Sequence, residues 1–224
     1  MKLYQLNKTV LSLRNNPASF LNGLTANELD QPQNAFVNIA GRIIATFDQL
    51  KVSDDEFLIV IEESFLNAVL EHIDRYVRLA GVKVAPLDDY VYFDLEGSAA
   101  VHVDDHIIRQ KKGRLLMTRR LLTANVSESE FTLFRLQNDI PLHGTDYKDE
   151  FLLNVSQTDF VSFTKGCFLG QEPISKVHNR SKPSWKLVVQ DSNACTEEEK
   201  LKMTSRVFDP QTKRTLGFIF VKNE

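Results

Sequence analysis

The sequence is poor in the residues that mark several protein classes. Its 224 residues include two cysteines, Cys167 and Cys195, too few for the disulfide framework of a small secreted protein. We expect both to be free thiols. No apolar run approaches the roughly 20 residues that a membrane helix needs, and residues 1–14 lack the compact apolar region of a secretory signal. The chain is therefore expected to be cytoplasmic, without a membrane partner.

An excess of one charge is also missing. The chain has 27 basic and 30 acidic residues and a net charge of -3, so its total charge gives no case for nucleic acid binding. The segment 165–186 is locally basic and contains a single acid, Glu172. This bias fits either an anionic ligand tail or RNA phosphate, or simply a solvated loop. Its basic residues are Lys165, Lys176, Arg180, Lys182 and Lys186.

What is present is a mixture of helix and strand patterns. Apolar residues at helical spacing predict a helix from Ser64 to Ala80 that ends at Gly81. Segment 16–23 has the capping and turn residues of a short helix, and β-branched and aromatic runs on both sides of Gly41 predict a hairpin. We therefore predict an α+β fold with helices packed on one face of a sheet.

The C-terminal region is predicted to form a small β-module. Short strands are expected at 185–189, 204–208 and 216–221, after a linker. A region of roughly 40 residues is too short to close a full barrel, so we expect a reduced, barrel-like module. The predicted domains are 1–180, which is divided further near 96–125, and 181–224.

The stretch from His102 to His106 resembles a metal-binding pattern, because histidines four apart on a helix share a face. Its surroundings predict strands instead, over Ala99 to Val103 and at Ile107 and Ile108, joined by a turn at 104–105. Histidines four apart on a strand are too far apart for one metal ion without further ligands. We therefore predict no metal site.

The densest chemistry lies in residues 165–172, which read Lys-Gly-Cys-Phe-Leu-Gly-Gln-Glu. Gly166 and Gly170 indicate a tight loop that presents Cys167. Lys165 favours the thiolate if the two side chains converge. The residues alone fit a buried structural cysteine equally well.

This stretch resembles the signature of the YgfZ branch of the YgfZ/glycine-cleavage T-protein family, Lys-Gly-Cys-Tyr-x-Gly-Gln-Glu, with Phe168 in the place of the tyrosine. The resemblance implies a T-protein-like fold, with α+β subdomains around a central cavity. It also implies that Cys167 is a functional thiol, that Lys165 and Glu172 tune and orient it, and that Gly166, Gly170 and Gln171 shape the ligand-binding loop.

The resemblance implies folate contacts elsewhere in the chain. Thr25 and Asn27 match a turn near the ligand cavity, although turn capping explains them at least as well. Arg135 and Gln137 match a helix of the family in which an acid, here replaced by Gln137, holds the pterin ring. Tetrahydrofolate is therefore the expected cofactor, with its binding weakened by the loss of that charge.

One further stretch separates the functional classes of the family. Aminomethyltransferases have a pair of aspartates where this chain has Ala45 and Thr46. A carboxylate is hard to replace in proton transfer, which argues against aminomethyl transfer, so whether the chain is an enzyme stays open.

Three functions are considered. The first is a folate-binding accessory protein for assembly or repair of iron–sulfur enzymes, including tRNA-modifying ones. Its partners would be client enzymes or assembly factors. Cys167 alone cannot hold a typical cluster, which usually takes four protein ligands, so no stable cluster is expected. The alternatives are a tetrahydrofolate-dependent aminomethyl transferase and an RNA-associated protein.

Overall fold

The regular elements follow the predicted α+β pattern. The structure is a computed structural model and describes residues 1–223. The helices are α1 (Pro17–Leu24), α2 (Leu66–Ala80), α3 (Glu128–Gln137), α4 (Leu152–Val155), α5 (Gln171–Arg180) and α6 (Glu197–Lys202). The strands are β1 (Leu3–Leu6), β2 (Lys8–Arg14), β3 (Gln33–Val37), β4 (Ile43–Ser53), β5 (Glu56–Glu62), β6 (Lys83–Leu87), β7 (Tyr90–Asp94), β8 (His106–Arg109), β9 (Arg114–Thr118), β10 (Trp185–Asp191), β11 (Thr204–Asp209) and β12 (Arg214–Lys222).

A five-stranded antiparallel sheet, in the order β3-β4-β5-β2-β6, supports the first helices. The predicted hairpin around Gly41 is confirmed as β3 and β4. Helices α1 and α2 cover one face of this sheet, where Leu21, Val69 and Ile73 join its apolar side chains in a core. The predicted end of α2 is confirmed, because Gly81 takes the left-handed conformation that glycine allows.

A four-stranded antiparallel sheet, in the order β1-β7-β9-β8, packs against the same five-stranded sheet through a second core. Leu58 and Val60 of β5 meet Val91 and Phe93 of β7 in this core. Strands β1 and β2 are separated by Asn7 alone, yet they belong to different sheets. The chain therefore joins the two sheets beside the space between them.

The predicted C-terminal strands are confirmed, and they stay an open sheet. Strands β10, β12 and β11 form an open three-stranded sheet, and no closed barrel occurs within residues 1–223. Three strands are too few to curl onto themselves. The sheet is completed by packing, since Leu187 and Phe220 contact the core that contains α4.

The strand predicted over residues 99–103 is wrong. The predicted domain boundaries, 1–180 and 181–224, stay predictions. Residues 99–103 lie in a loop, and the strand that follows begins at His106. A hydrogen bond from the Ala99 N–H to the Asp94 carboxylate, at 2.8 Å, ties this loop to β7 in place of strand pairing. No helix among the described residues is both long and apolar enough to cross a membrane.

Candidate functional site

The loop that contains Cys167 is fixed to the protein next to the thiol. We call residues 165–170 the Cys167 loop. Cys167 is exposed, whereas Phe168 is buried in the core. The backbone N–H of Leu169 donates to the carbonyl of Gly23 at 3.0 Å. The thiol is thus presented to solvent from an anchored backbone.

Lys165 anchors the other side of the loop. Its Nζ donates to the carbonyls of Thr25, at 2.6 Å, and Asn27, at 2.9 Å. Burial lowers the pKa of Lys165 to about 8, an effect that Glu28 partly offsets. The ammonium group therefore forms its hydrogen bonds inside the protein. The expected tuning of the Cys167 thiol by Lys165 stays a prediction.

The two glycines of the Cys167 loop differ in how strictly they are required. Gly170 has a φ of +83°, and a Cβ there would lie 2.3 Å from the carbonyl oxygen of Asn38, whereas Gly166 has open space around it. Helix α5 begins at Gln171, and Glu172 is exposed in its first turn. Ligand contacts of the glycines and Gln171, and the orienting role of Glu172, stay predictions.

Thr25 and Asn27, the predicted ligand contacts in the first turn, have buried side chains that bond within the protein. The Thr25 hydroxyl donates to the carbonyl of Leu21 at 2.8 Å, at the end of α1. The Asn27 amide donates to the carbonyls of Gln33 and Asp159, each at 2.9 Å. These bonds favour turn capping, the alternative that the sequence left open.

Arg135 and Gln137 face the C-terminal sheet. Arg135 is buried and donates to Asp146 and to the Ser205 hydroxyl, each at 2.7 Å. Gln137 is exposed. The pKa of Asp209 is lowered mainly by a hydrogen bond from the Gln211 backbone, and to a smaller extent by one from the Gln137 side chain. The geometry thus gives both residues roles in packing α3 against β11, and their predicted folate contacts remain untested.

The space between the two large sheets contains a cavity. An inner cavity of about 40 Å³ is lined by residues of β2, β4, β7 and β9. Beside it lies a more open outer cavity of about 240 Å³. The two cavities adjoin at shared lining residues, which are Gln33, Gln110, Ile140, Pro141 and Phe160.

Charged side chains are buried in the wall of the inner cavity. Lys8 Nζ lies 3.3 Å from Asp48 Oδ2 and 3.2 Å from Glu62 Oε1. Burial alone would lower the pKa of Lys8, but the two carboxylates outweigh it and hold that pKa above its ordinary value. Gln110 donates to the other oxygen of Asp48 at 2.8 Å. One cation thus faces two carboxylates.

His143 and Tyr147 form the neighbouring wall. The ring of His143 stacks on Phe65, with centroids 3.8 Å apart. Burial, helped by the Lys8 charge, lowers the pKa of His143 to about 4, so the ring is neutral at pH 7. The Tyr147 hydroxyl pairs with that of Thr46 at 2.6 Å. Burial raises the Tyr147 pKa despite this bond, so the phenol stays protonated.

Asp48 changes the interpretation of β4. The chain lacks the family's aspartates at Ala45 and Thr46, but residues two apart on a strand share a face. Asp48 therefore lies on the same face as Thr46, and both line the inner cavity. A carboxylate is present there after all, and it is already paired with Lys8.

Metal binding finds no support in the geometry. Within residues 1–223 there is no group of three His, Cys, Asp or Glu side chains that could hold a metal ion. His102 lies in a loop and His106 in β8, so the two histidines do not share a helix face.

Known proteins resemble this chain in fold more than in sequence. No protein-family model matches it. An uncharacterized protein of Haemophilus influenzae is 24% identical over 148 residues, which cover 62% of this chain and 52% of that protein. This chain thus matches about half the length of that relative. The crystal structure of glycine cleavage system aminomethyltransferase T from Bartonella henselae matches with a TM-score of 0.74 at 13% identity, over 99% of this chain and 78% of the other. The chain has a T-protein-like fold.

Some polar atoms in the wall of the inner cavity lack a hydrogen-bond partner among the described residues. Both ring nitrogens of His143 are buried without a hydrogen-bond partner among the described residues. Such atoms are costly unless something pairs with them. The two ring nitrogens of His143 are therefore unmet hydrogen-bonding groups in the wall of the cavity.

Sequence reasoning assigned no site role to Lys8, Asp48, Glu62 or His143. They are not adjacent in the chain and form no motif. The period of two along β4 would have placed Asp48 on the same face as Thr46. No comparable pattern in the sequence indicates that His143 is buried.

Proposed function

We propose that this chain is a folate-binding accessory protein of the YgfZ kind, which supports assembly or repair of iron–sulfur enzymes, including those that modify tRNA. The observation that carries the proposal is the exposed thiol of Cys167 on an anchored loop. The eight-residue resemblance around this thiol and the T-protein-like fold support it. Tetrahydrofolate is the proposed cofactor, and client enzymes or assembly factors are the proposed partners.

The second cysteine suggests how Cys167 would act. Cys195 is buried in a separate core with Met203 and Ile219, in the C-terminal sheet region. Since a typical cluster takes four protein ligands, Cys167 would act on a cluster or thiol held by the client. The proposed protein thus assists a cluster enzyme without storing a cluster.

A tetrahydrofolate-dependent aminomethyl transferase is the second candidate, and Asp48 is the observation that favours it. Its carboxylate lines the inner cavity, where a proton-transfer group would be needed. It is already paired with Lys8 and Gln110. Both oxygens of Asp48 are thus already engaged inside the protein, so we rank this function below the accessory one.

An RNA-associated function is the third candidate. Lys176 and Arg180 are exposed on α5, but burial removes Lys165 from this basic surface. The exposed cations that remain are Lys176, Arg180, Lys182 and Lys186, and phosphate binding through them would fall steeply with salt.

Complementation in two strains separates the first two functions. The gene is expressed in cells that lack the endogenous YgfZ-type protein and, separately, in cells that lack the T-protein. We expect restored tRNA thiomethylation in the first strain and no restored glycine cleavage in the second. The reverse pattern would replace the accessory function with aminomethyl transfer.

A further inference from the structure

A groove beside the C-terminal sheet is separate from the two cavities described above. Its volume is about 650 Å³, and it shares no lining residue with the inner or the outer cavity. It is lined by residues 219–222 of β12, by residues of α6 and its N-cap, and by Glu150 and Trp185. A groove of this volume has room for a few residues of a peptide.

The groove contains an exposed aromatic ring without a partner. Trp185 is 41% exposed, and it is the single tryptophan of the chain. The hydrogen bonds that it makes within residues 1–223 are backbone bonds, so its indole N–H is free there. No cation among the described residues lies over its ring. Phe220 and Val221, both half-buried, add apolar surface beside it.

Asn154 holds Glu150 and Trp185 in the same place. Its side-chain N–H donates to Glu150 Oε2 at 3.1 Å, and its side-chain oxygen accepts from the backbone N–H of Trp185 at 3.4 Å. Asn154 is buried in α4. The carboxylate and the tryptophan are therefore fixed relative to each other before any partner arrives, which lowers the entropic cost of binding.

The Glu150 carboxylate keeps an uncompensated charge. Its Oε2 accepts from the Phe151 backbone as well as from Asn154. Its Oε1 has no hydrogen bond, and the carboxylate has no ion pair, within residues 1–223. A negative charge thus lies in the same groove as an exposed indole, and both groups attract a cation.

The remaining charges of the groove leave it net negative. Three carboxylates and two ammonium groups line it, which gives a net charge of one negative unit. Glu198 and Lys202 pair with each other at 2.6 Å, and the Glu199 carboxylate accepts from the backbone of the α6 N-cap. Lys222 is exposed, directly opposite Trp185 in the sheet register. A cation is therefore attracted by Glu150 and repelled by Lys222.

We propose that this groove docks an exposed segment of a client protein in which an arginine is flanked by apolar residues. A guanidinium group stacks on aromatic faces and binds a carboxylate through two parallel N–H donors, which fits Trp185 and Glu150. The apolar neighbours of the arginine fit the surface of Phe220 and Val221. This inference rests on the proposed function for the identity of the partner, because the client is the protein that must reach Cys167.

A short chain of contacts joins the groove to the Cys167 loop. Residues 38–42 form the turn between β3 and β4, and the N–H of Ile43, just after it, donates to the carbonyl of Glu150 at 2.8 Å. The first carbonyl of the same turn lies against Gly170. The turn therefore supports both regions, which fits a client that is held in the groove while its cluster or thiol meets the Cys167 loop.

The test is titration of the full chain with blocked tripeptides, followed by the fluorescence of Trp185, which no other tryptophan obscures. The probes are acetyl-Leu-Arg-Leu-amide and its neutral match, acetyl-Leu-Gln-Leu-amide. For peptides this short we expect the arginine probe to bind with a Kd on the order of 1 mM. The glutamine probe should bind about tenfold more weakly or worse, because it lacks the charge.

Three variants test the sign of the charge effect, each with a melting curve to check its fold. Glu150→Gln keeps the shape but loses the charge, and it should weaken binding of the arginine probe about fivefold. Lys222→Met removes the opposing charge and should strengthen that binding about twofold. Glu71→Gln, at an exposed acid of α2, is the matched control and should leave the Kd within about 1.5-fold of wild type.

The opposite effects of Glu150→Gln and Lys222→Met are decisive, because unspecific stacking on the indole would respond to neither charge. Equal binding of the two probes, or unchanged binding of the arginine probe by Glu150→Gln, would overturn the inference and leave the proposed function standing. If the probe binds as expected but the protein restores no tRNA thiomethylation, the groove stands as an arginine site and its assignment to a client of iron–sulfur assembly is refuted.

Discussion

The Cys167 loop draws its chemistry from neighbouring residues, whereas the inner cavity draws its chemistry from residues far apart in the chain. The loop is one stretch, and buried anchors on both sides hold its thiol in solvent. The cavity brings Lys8, Asp48, Glu62 and His143 together from three strands and the segment after α3. A contiguous site can be recognised from sequence, but a dispersed site becomes visible only after folding. The two regions therefore respond differently to substitution.

The largest effect is expected in the cavity. Lys8→Met leaves Asp48 and Glu62 buried without their cation, which should lower the free energy of unfolding by about 3–5 kcal/mol at pH 7. Urea denaturation measures this loss. Lys2→Met is the control, because its ion pair with Glu130 lies at the surface, where solvent screens it. Equal losses in the two variants would mean that the cavity cluster is as weakly coupled as a surface pair.

A smaller effect is expected in the backbone of the Cys167 loop. Gly170→Ala combines a positive φ with a clash against the Asn38 carbonyl, and it should cost about 3 kcal/mol. Gly166→Ala, four residues away, meets no atom within 4 Å and should stay within about 0.5 kcal/mol of wild type. Thermal melts of both proteins test whether the close contact between Gly170 and Asn38 holds the loop in place. Similar melting temperatures would refute the packing account.

The smallest effect is the pH dependence of stability that the buried loop anchor Lys165 should cause. The pKa of Lys165 is about 8 in the folded protein and 10.5 ordinarily. Between these values the unfolded chain binds the proton and the folded chain does not, so stability should rise with pH, by on the order of 2 kcal/mol. Lys165→Met should abolish this rise between pH 8 and 10, whereas Lys176→Met, at an exposed site, should keep it. If urea titrations across this range gave the wild type and both variants the same change of unfolding free energy with pH, that result would contradict the burial of Lys165.

Much of the fold could be predicted because local patterns determine it. The helix over 64–80, the hairpin at Gly41 and the C-terminal strands follow from periodicity and turn residues. The predicted strand over 99–103 failed because a hydrogen bond from the Ala99 N–H to the Asp94 carboxylate holds that segment as a loop. The C-terminal region stays an open sheet because its three strands are too few to close a barrel.

The candidate site was predictable only in part, for the same reason. Residues 165–172 form one motif, and the exposure of Cys167 agrees with a functional thiol. Thr25 and Asn27 were placed in the correct turn, but their side chains bond within the protein. Arg135 pairs with Asp146, a contact that no spacing rule indicates. Residue type is visible in a sequence, whereas hydrogen-bond partners depend on the tertiary fold.

The most direct test of the account is complementation by Cys167→Ala in cells that lack the endogenous YgfZ-type protein, scored as tRNA thiomethylation. Cys195→Ala, at the buried cysteine, is the matched control, and both proteins are checked for abundance and folding. We predict that Cys167→Ala falls to the level of the empty vector and that Cys195→Ala rescues like wild type. Full rescue by an equally abundant and folded Cys167→Ala protein would show that the exposed thiol is not the functional group and would contradict the central claim.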